Sequence, residues 1–199
     1  SSIQAIDKDV RVKILDGIRN ILPNGVTYNF QNEYSNLLDA YKKNELLEES
    51  GIALFMLSSI PVDKAEPSES LLATSVWSTT LPNKEILISD NQLDSFKKGF
   101  EVTTENDIRA KRGAYYVKSD FALTVGNSKE WLIVSEVNQT ASNIANLDLL
   151  LLEEKEISNL VEEDIKNGTT NLVKIVASAD GIQSTNEELC SARHFSNTL

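Results

Sequence analysis

The sequence predicts an α+β fold: a mostly antiparallel sheet of about five strands, with N- and C-terminal helices packed on one face. Three observations carry this reading. Between Ala114 and Val137 two strand-like segments, AYYVKSDFALTV and EWLIVSEV, flank Gly126-Asn127-Ser128-Lys129 and read as a hairpin. A long segment with apolar residues three and four apart follows at once, as a helix covering a sheet would. The apolar period also changes after Gly51, from helical spacing to short strand-sized runs. The 199 residues, 41% hydrophobic and 25% charged, suit a single globular domain over 1–199. Because the chain stops at Leu199 without a helix C-terminal signal, it reads as a domain excised from a longer protein.

Each element has its own reason. Ile3, Ile6, Val10, Ile14 and Ile18 make one helical stripe, ended by Leu22-Pro23-Asn24-Gly25, with Gly17 an unfavourable interior residue. A second helix carries Tyr34, Leu37, Leu38 and Tyr41 and stops at Ser50-Gly51. Ile52 to Leu57 is apolar on both faces, as a central strand is. Val62 to Ser70, with Pro67 among charged residues, reads as an exposed loop. Leu71–Thr80 and Glu85–Ser89 read as strands joined by a turn at Leu81-Pro82-Asn83-Lys84, and Asp90 as the cap of a short helix. Thr104 to Arg112 is a short helix or a loop. After the expected hairpin, Asn138 or Thr140 starts the long helix, with Ile144, Leu147, Leu151, Leu160, Val161 and Ile165 on its stripe and Asn167-Gly168 as its stop. Leu172 to Ala179 fits helix or strand, and a final helix carries Cys190 and His194. This element order resembles that of sensory domains of the GAF and PAS kind, at the level of topology and without a shared motif.

Charge and motifs exclude more than they assign. The net charge is −11, and the basic concentrations Lys97-Lys98 and Arg109-Ala110-Lys111-Arg112 read as solvated helix ends. Nucleic acid and anionic membrane surfaces are therefore not expected partners, and no apolar run approaches a spanning helix. The N-terminus has no signal-peptide core, so the chain belongs in the cytoplasm unless a leader has already been trimmed. One cysteine, Cys190, and one histidine, His194, give no multi-cysteine metal site and no triad with a G-x-S-x-G elbow. The eight glycines form no phosphate-binding loop. No metal and no cofactor are expected.

Trp77, Tyr115, Tyr116 and Glu136 remain as candidate ligand-binding residues: three aromatics on strands and a carboxylate interrupting an apolar strand face. Leu149, Leu150, Leu151 and Leu152 point almost all round a helix, so they need cover from several sides and are the candidate interaction surface. The leading functional expectation is a non-catalytic regulatory or small-molecule-sensing domain of a larger protein. The alternatives are a protein-interaction or structural domain using the leucine-rich helix, and part of a carbohydrate-acting hydrolase using carboxylates and aromatics. The expected partners follow: the remainder of a longer chain, another protein, or a small-molecule ligand.

Overall fold

The computed structural model describes residues 1–59, 70–82, 84–153 and 157–178. The expected loop over 62–69, the turn at Asn83 and the final helix with Cys190 and His194 lie outside these residues. The chain divides into two compact units, Ser1–Lys155 and Glu156–Leu199. In chain order the first unit contains β1 (Ser2–Gln4), β2 (Val10–Ile21), α1 (Tyr28–Asp39), β3 (Lys42–Leu47), β4 (Ile52–Leu57), β5 (Ala73–Ser78), β6 (Glu85–Leu87), α2 (Leu93–Lys97), β7 (Asp107–Arg109), β8 (Gly113–Leu123), β9 (Ser128–Glu130), β10 (Ile133–Gln139) and α3 (Ala141–Glu153). The second unit holds α4 (Ile157–Ser178). The α+β class and the antiparallel pairing are as expected.

The strands form a five-stranded sheet, β10-β5-β4-β3-β7, a three-stranded sheet, β2-β8-β6, and the pair β1-β9, all antiparallel. The larger sheet has β4 at its centre, which is why Ile52–Leu57 is apolar on both faces. Between the two larger sheets lies one core: Leu46, Phe55 and Val76 from the first meet Ile86, Tyr115 and Val117 from the second, with Trp131 beside them. The Tyr115 hydroxyl crosses this core to donate to the Gly51 carbonyl and to share a hydrogen bond with the Ser78 hydroxyl, both at 3.1 Å. On the opposite face of the three-stranded sheet, Tyr116, Ala114 and Leu87 pack against Val102, Leu93 and Phe96. Adjacent tyrosines must face opposite ways in a strand. Both are buried here because that sheet is covered on both sides.

Several expected elements take another form. The N-terminal stripe is strand: Val10-Arg11-Val12-Lys13-Ile14 alternates in burial, and its pairing with β8 outweighs the helical spacing of its isoleucines. Gly17 sits opposite Tyr116, where a β-carbon would come within 2.0 Å of the Tyr115 carbonyl oxygen, so close pairing requires glycine. The second expected helix ends at Asp39, and the residues after it form β3, whose burial alternates from Lys42 inward to Leu47 outward. Ser50-Gly51 is instead the β3–β4 turn, with Gly51 at φ +77°. Asp90 does not cap α2, whose preceding residue Gln92 makes no side-chain cap. The expected pairing of β8 with β10 does not form either. A turn does follow Val125, but β9 pairs with β1, and the chain then crosses to the other sheet, where β10 pairs with β5. Trp131 at that crossing is buried between sheets, its Nε1 donating to Asp16 at 2.7 Å.

Thr140 starts α3 as expected, its Oγ1 accepting from the Asn143 N–H at 3.2 Å. Asn167-Gly168 is no stop: α4 runs through it to Ser178, which settles Leu172–Ser178 as helix. No helix among the described residues is long and apolar enough to cross a membrane.

Candidate functional site

A polar concavity lies where α1, the end of β2 and the segment after β7 meet. Its larger part, a cleft of about 500 Å³, is lined by Asn36, Asp39, Asp90, Asn91, Lys111 and Arg112 among others. A smaller part of about 250 Å³ shares Arg112 and is bounded by Asn20, Leu22, Tyr28, Gln31, Asn32 and Lys42. Such volumes suit a small molecule.

Local sequence explains how each wall is built. Thr27 caps α1 by accepting from the Phe30 N–H at 3.2 Å, and Leu38 anchors the helix against Val26 and Leu57. Lys42, first residue of β3, falls on the inward side of that strand, so its ammonium must find partners inside. It does: the side chain is 1% exposed, pairs with Asp39 at 2.8 Å and donates to the Gln31 side-chain carbonyl. Gln31 in turn donates to Asp39 at 3.1 Å, and Arg112 Nε reaches the other Asp39 oxygen at 3.3 Å. A buried ion pair without such hydrogen bonds would cost more in desolvation than it returns. Burial pushes the Asp39 carboxyl up, but the bonds from Lys42 and Gln31, the Lys42 charge and the Arg112 bond outweigh it and hold it below the ordinary carboxylate range.

Asp90 is tied in the same way. Arg19 donates two hydrogen bonds to one of its oxygens, Nε at 3.1 Å, and the Tyr116 hydroxyl donates to the other at 2.7 Å. Burial raises this carboxyl, while the Arg19 and Tyr116 bonds and the Arg19 charge lower it further than burial raises it. Both carboxylates are thus held ionised and engaged. Neither has the raised pKa that a general acid at neutral pH requires.

The backbone is strained around this cleft. Asn20 (φ 57°) sits at the register shift near the end of β2, Ala110 (φ 56°) follows β7, and Ser35 (φ 40°) kinks α1 between Gln31 and Asn36. Left-handed non-glycine residues are uncommon and concentrate at functional sites.

The residues singled out from the sequence lie elsewhere. Trp77 and Glu136 share the outer face of the five-stranded sheet, since Trp77 opposes Val134 and Glu136 opposes Ser75 in adjacent rows. Trp77 is buried and Glu136 half-buried, and the Trp77 Nε1 and Ser75 Oγ find no hydrogen-bond partner among the described residues. Tyr115 is sealed in the inter-sheet core, where burial pushes its phenol up to about 12. Tyr116 alone reaches the cleft, through its bond to Asp90. Leu149, Leu150 and Leu152 are 56%, 44% and 47% exposed, and Leu151 is half-buried. None of the residues of α3 is buried. The cleft residues come from four separate stretches of chain, which no sequence motif unites. One signal did exist: Arg109-Ala110-Lys111-Arg112 was a basic concentration in an acidic chain, read as a helix end.

No known family model matches the chain, and comparison with curated proteins finds no match. Among the described residues no group of three or more His, Cys, Asp or Glu side chains is placed to hold a metal.

Proposed function

We propose that this chain is a non-catalytic regulatory domain that senses a small molecule in the α1 cleft. One observation carries the reading: a ligand-sized polar cleft whose two carboxylates are both locked in ion pairs, within a rim of strained backbone. A catalytic cleft needs a group free to move a proton or attack. A sensing cleft needs fixed, preorganised polar groups, and a site held in two-way networks meets that need. A thermal-shift screen of small metabolites on the full chain tests it, with Ala40→Trp as the control that fills the larger cleft. The expected result is a ligand that raises Tm in the native chain and not in Ala40→Trp. Ligands that stabilise both proteins equally, or none that stabilises the native chain, would refute the reading.

The second reading, an interaction domain, rests on a different feature: the exposed leucines of α3. It does not compete with the first for residues, because no leucine of that turn lines the cleft.

A further inference from the structure

The charges around the cleft do not balance, and the imbalance points to the ligand. Two carboxylates, Asp39 and Asp90, line it with three cations, Lys42, Lys111 and Arg112, and a fourth cation, Arg19, pairs with Asp90 from outside the lining, an excess of two positive charges in a chain of net charge −11. Three of those cations are committed or partly committed: Lys42 to Asp39 and Gln31, Arg19 to Asp90, and Arg112 through Nε alone to Asp39. The two Nη groups of Arg112 have no partner among the described residues, and neither has the Lys111 ammonium. Arg112 lines both parts of the cleft, so its unused fork stands at the junction of the two concavities.

Resting on the sensing role proposed above, we infer that the ligand is a small carboxylic acid, held bidentately by the Arg112 fork with Lys111 as a second cationic contact. A guanidinium fork matches the two oxygens of a carboxylate in plane, and the Asp39 bond to Nε fixes its orientation beforehand. A phosphate shares the charge but is ordinarily cradled by successive backbone N–H groups at a glycine-rich loop or helix start. The sequence holds no such loop, and at the start of α1 the Thr27 cap already takes the Phe30 N–H. Tyr28, Ile21 and Leu22 line the smaller part, beside Arg112, and give an apolar wall for the carbon skeleton of the acid.

Calorimetric titration of the full chain at pH 7 and low salt tests this with succinate, benzoate, inorganic phosphate, glucose and choline as probes. Binding of succinate or benzoate is expected, weakened at least about ten-fold by Arg112→Lys, which keeps the charge and loses the fork, and several-fold by Lys111→Gln. Lys111 is exposed, so that variant folds even if changes at Arg112 disturb Asp39. Binding of glucose or choline that Ala40→Trp abolishes would leave the sensing role standing and overturn the carboxylate. Phosphate binding without carboxylate binding would overturn it equally, as would carboxylate binding indifferent to both Arg112→Lys and Lys111→Gln. If no probe binds and the metabolite screen is also blank, the sensing role itself fails.

Discussion

The strands and the C-terminal helices use the same apolar residue types in opposite ways. In the paired sheets, Ile52, Phe55, Val76, Tyr115 and Val117 are wholly buried, and even the polar Asn44 and Ser119 are sealed with them. Along α3 and α4 no residue is buried, although both helices are rich in leucine, isoleucine and valine. Ile165, Leu172 and Ile175 on α4 are each more than half exposed. Apolar area removed from water is what stabilises a fold, at about 25 cal/mol per Å². The sheets therefore stabilise themselves, whereas the helices carry apolar surface whose contribution to folding is still small. The same composition makes a core in one place and an exposed apolar face in the other.

The largest expected effect lies in the core. Trp131→Ala should cost about 3–5 kcal/mol, the range of large aromatic truncations, and it also strips Asp16 of its indole partner. The matching change on α4, Leu172→Ala, should move stability by no more than about 0.5 kcal/mol. Urea unfolding of the two variants measures the contrast directly. Equal costs would break the comparison, because they would mean that α4 is held by contacts as extensive as those of the core.

Gly17→Ala comes next. The added methyl group meets the Tyr115 carbonyl oxygen and the Tyr116 ring across the β2–β8 ladder, so the two strands must separate. Overpacking of this kind costs about 1–3 kcal/mol. Gly168→Ala on α4 has open space around the new methyl and should instead stabilise by up to about 1 kcal/mol, through helix propensity alone. Opposite signs for the same substitution, read as Tm shifts, would sharpen the distinction between a packed and an unpacked region.

How the sequence misled is itself part of this contrast. Helices with exposed surroundings follow local rules, so Thr140 as the start of α3 and the apolar spacing of Leu160, Val161 and Ile165 were legible, although α4 continues through the stop expected at Asn167-Gly168. Strands inside the sandwich answer to tertiary partners. Lys42-Lys43-Asn44-Glu45-Leu46-Leu47 has the propensity of a helix, yet it is a strand because α1 and β4 supply partners for Lys42 and Leu46. The alternation Val10-Arg11-Val12-Lys13-Ile14 was present from the start, and the wider isoleucine spacing masked it. Ile52–Leu57, apolar throughout and short, had no competing reading. The cleft was illegible for a different reason: Gln31, Asp39, Lys42, Asp90 and Arg112 become neighbours only after both sheets have formed. Their residue types, unlike a metal-ligand spacing, have no linear signature.

On α3, single substitutions Leu149→Asp and Leu152→Asp should leave urea stability nearly unchanged, since each side chain is about half exposed. If the surface serves a partner or a second copy, the same changes abolish that association in sedimentation or pull-down experiments. Loss of folding by either variant would show that the turn is core after all and would remove the contrast with the sheets.

The smallest effect concerns pH and belongs to the sealed side of the comparison. Asp39 and Asp90 both have folded-state pKa values below those of the unfolded chain, where each titrates near 3.8. Above that value both states are ionised, and the ion pairs with Lys42, Arg112 and Arg19 contribute in full. As pH falls from about 5 the unfolded chain takes up protons first, so stability declines, and the contribution is gone once pH passes below the depressed folded values. Asp90 is 40% exposed at its side chain and Asp39 16%, so solvent screening reduces the term more for Asp90. Tm followed from pH 6 to pH 3 should therefore fall less steeply in Asp39→Asn than in the native chain, and Asp90→Asn should lie between them. Helix α4 supplies no such carboxylate, since its Glu162, Glu163 and Asp164 are exposed. Glu162→Gln should then leave the pH profile of the native chain intact, and a flattened profile in that variant would place acid sensitivity on the helix instead of in the cleft.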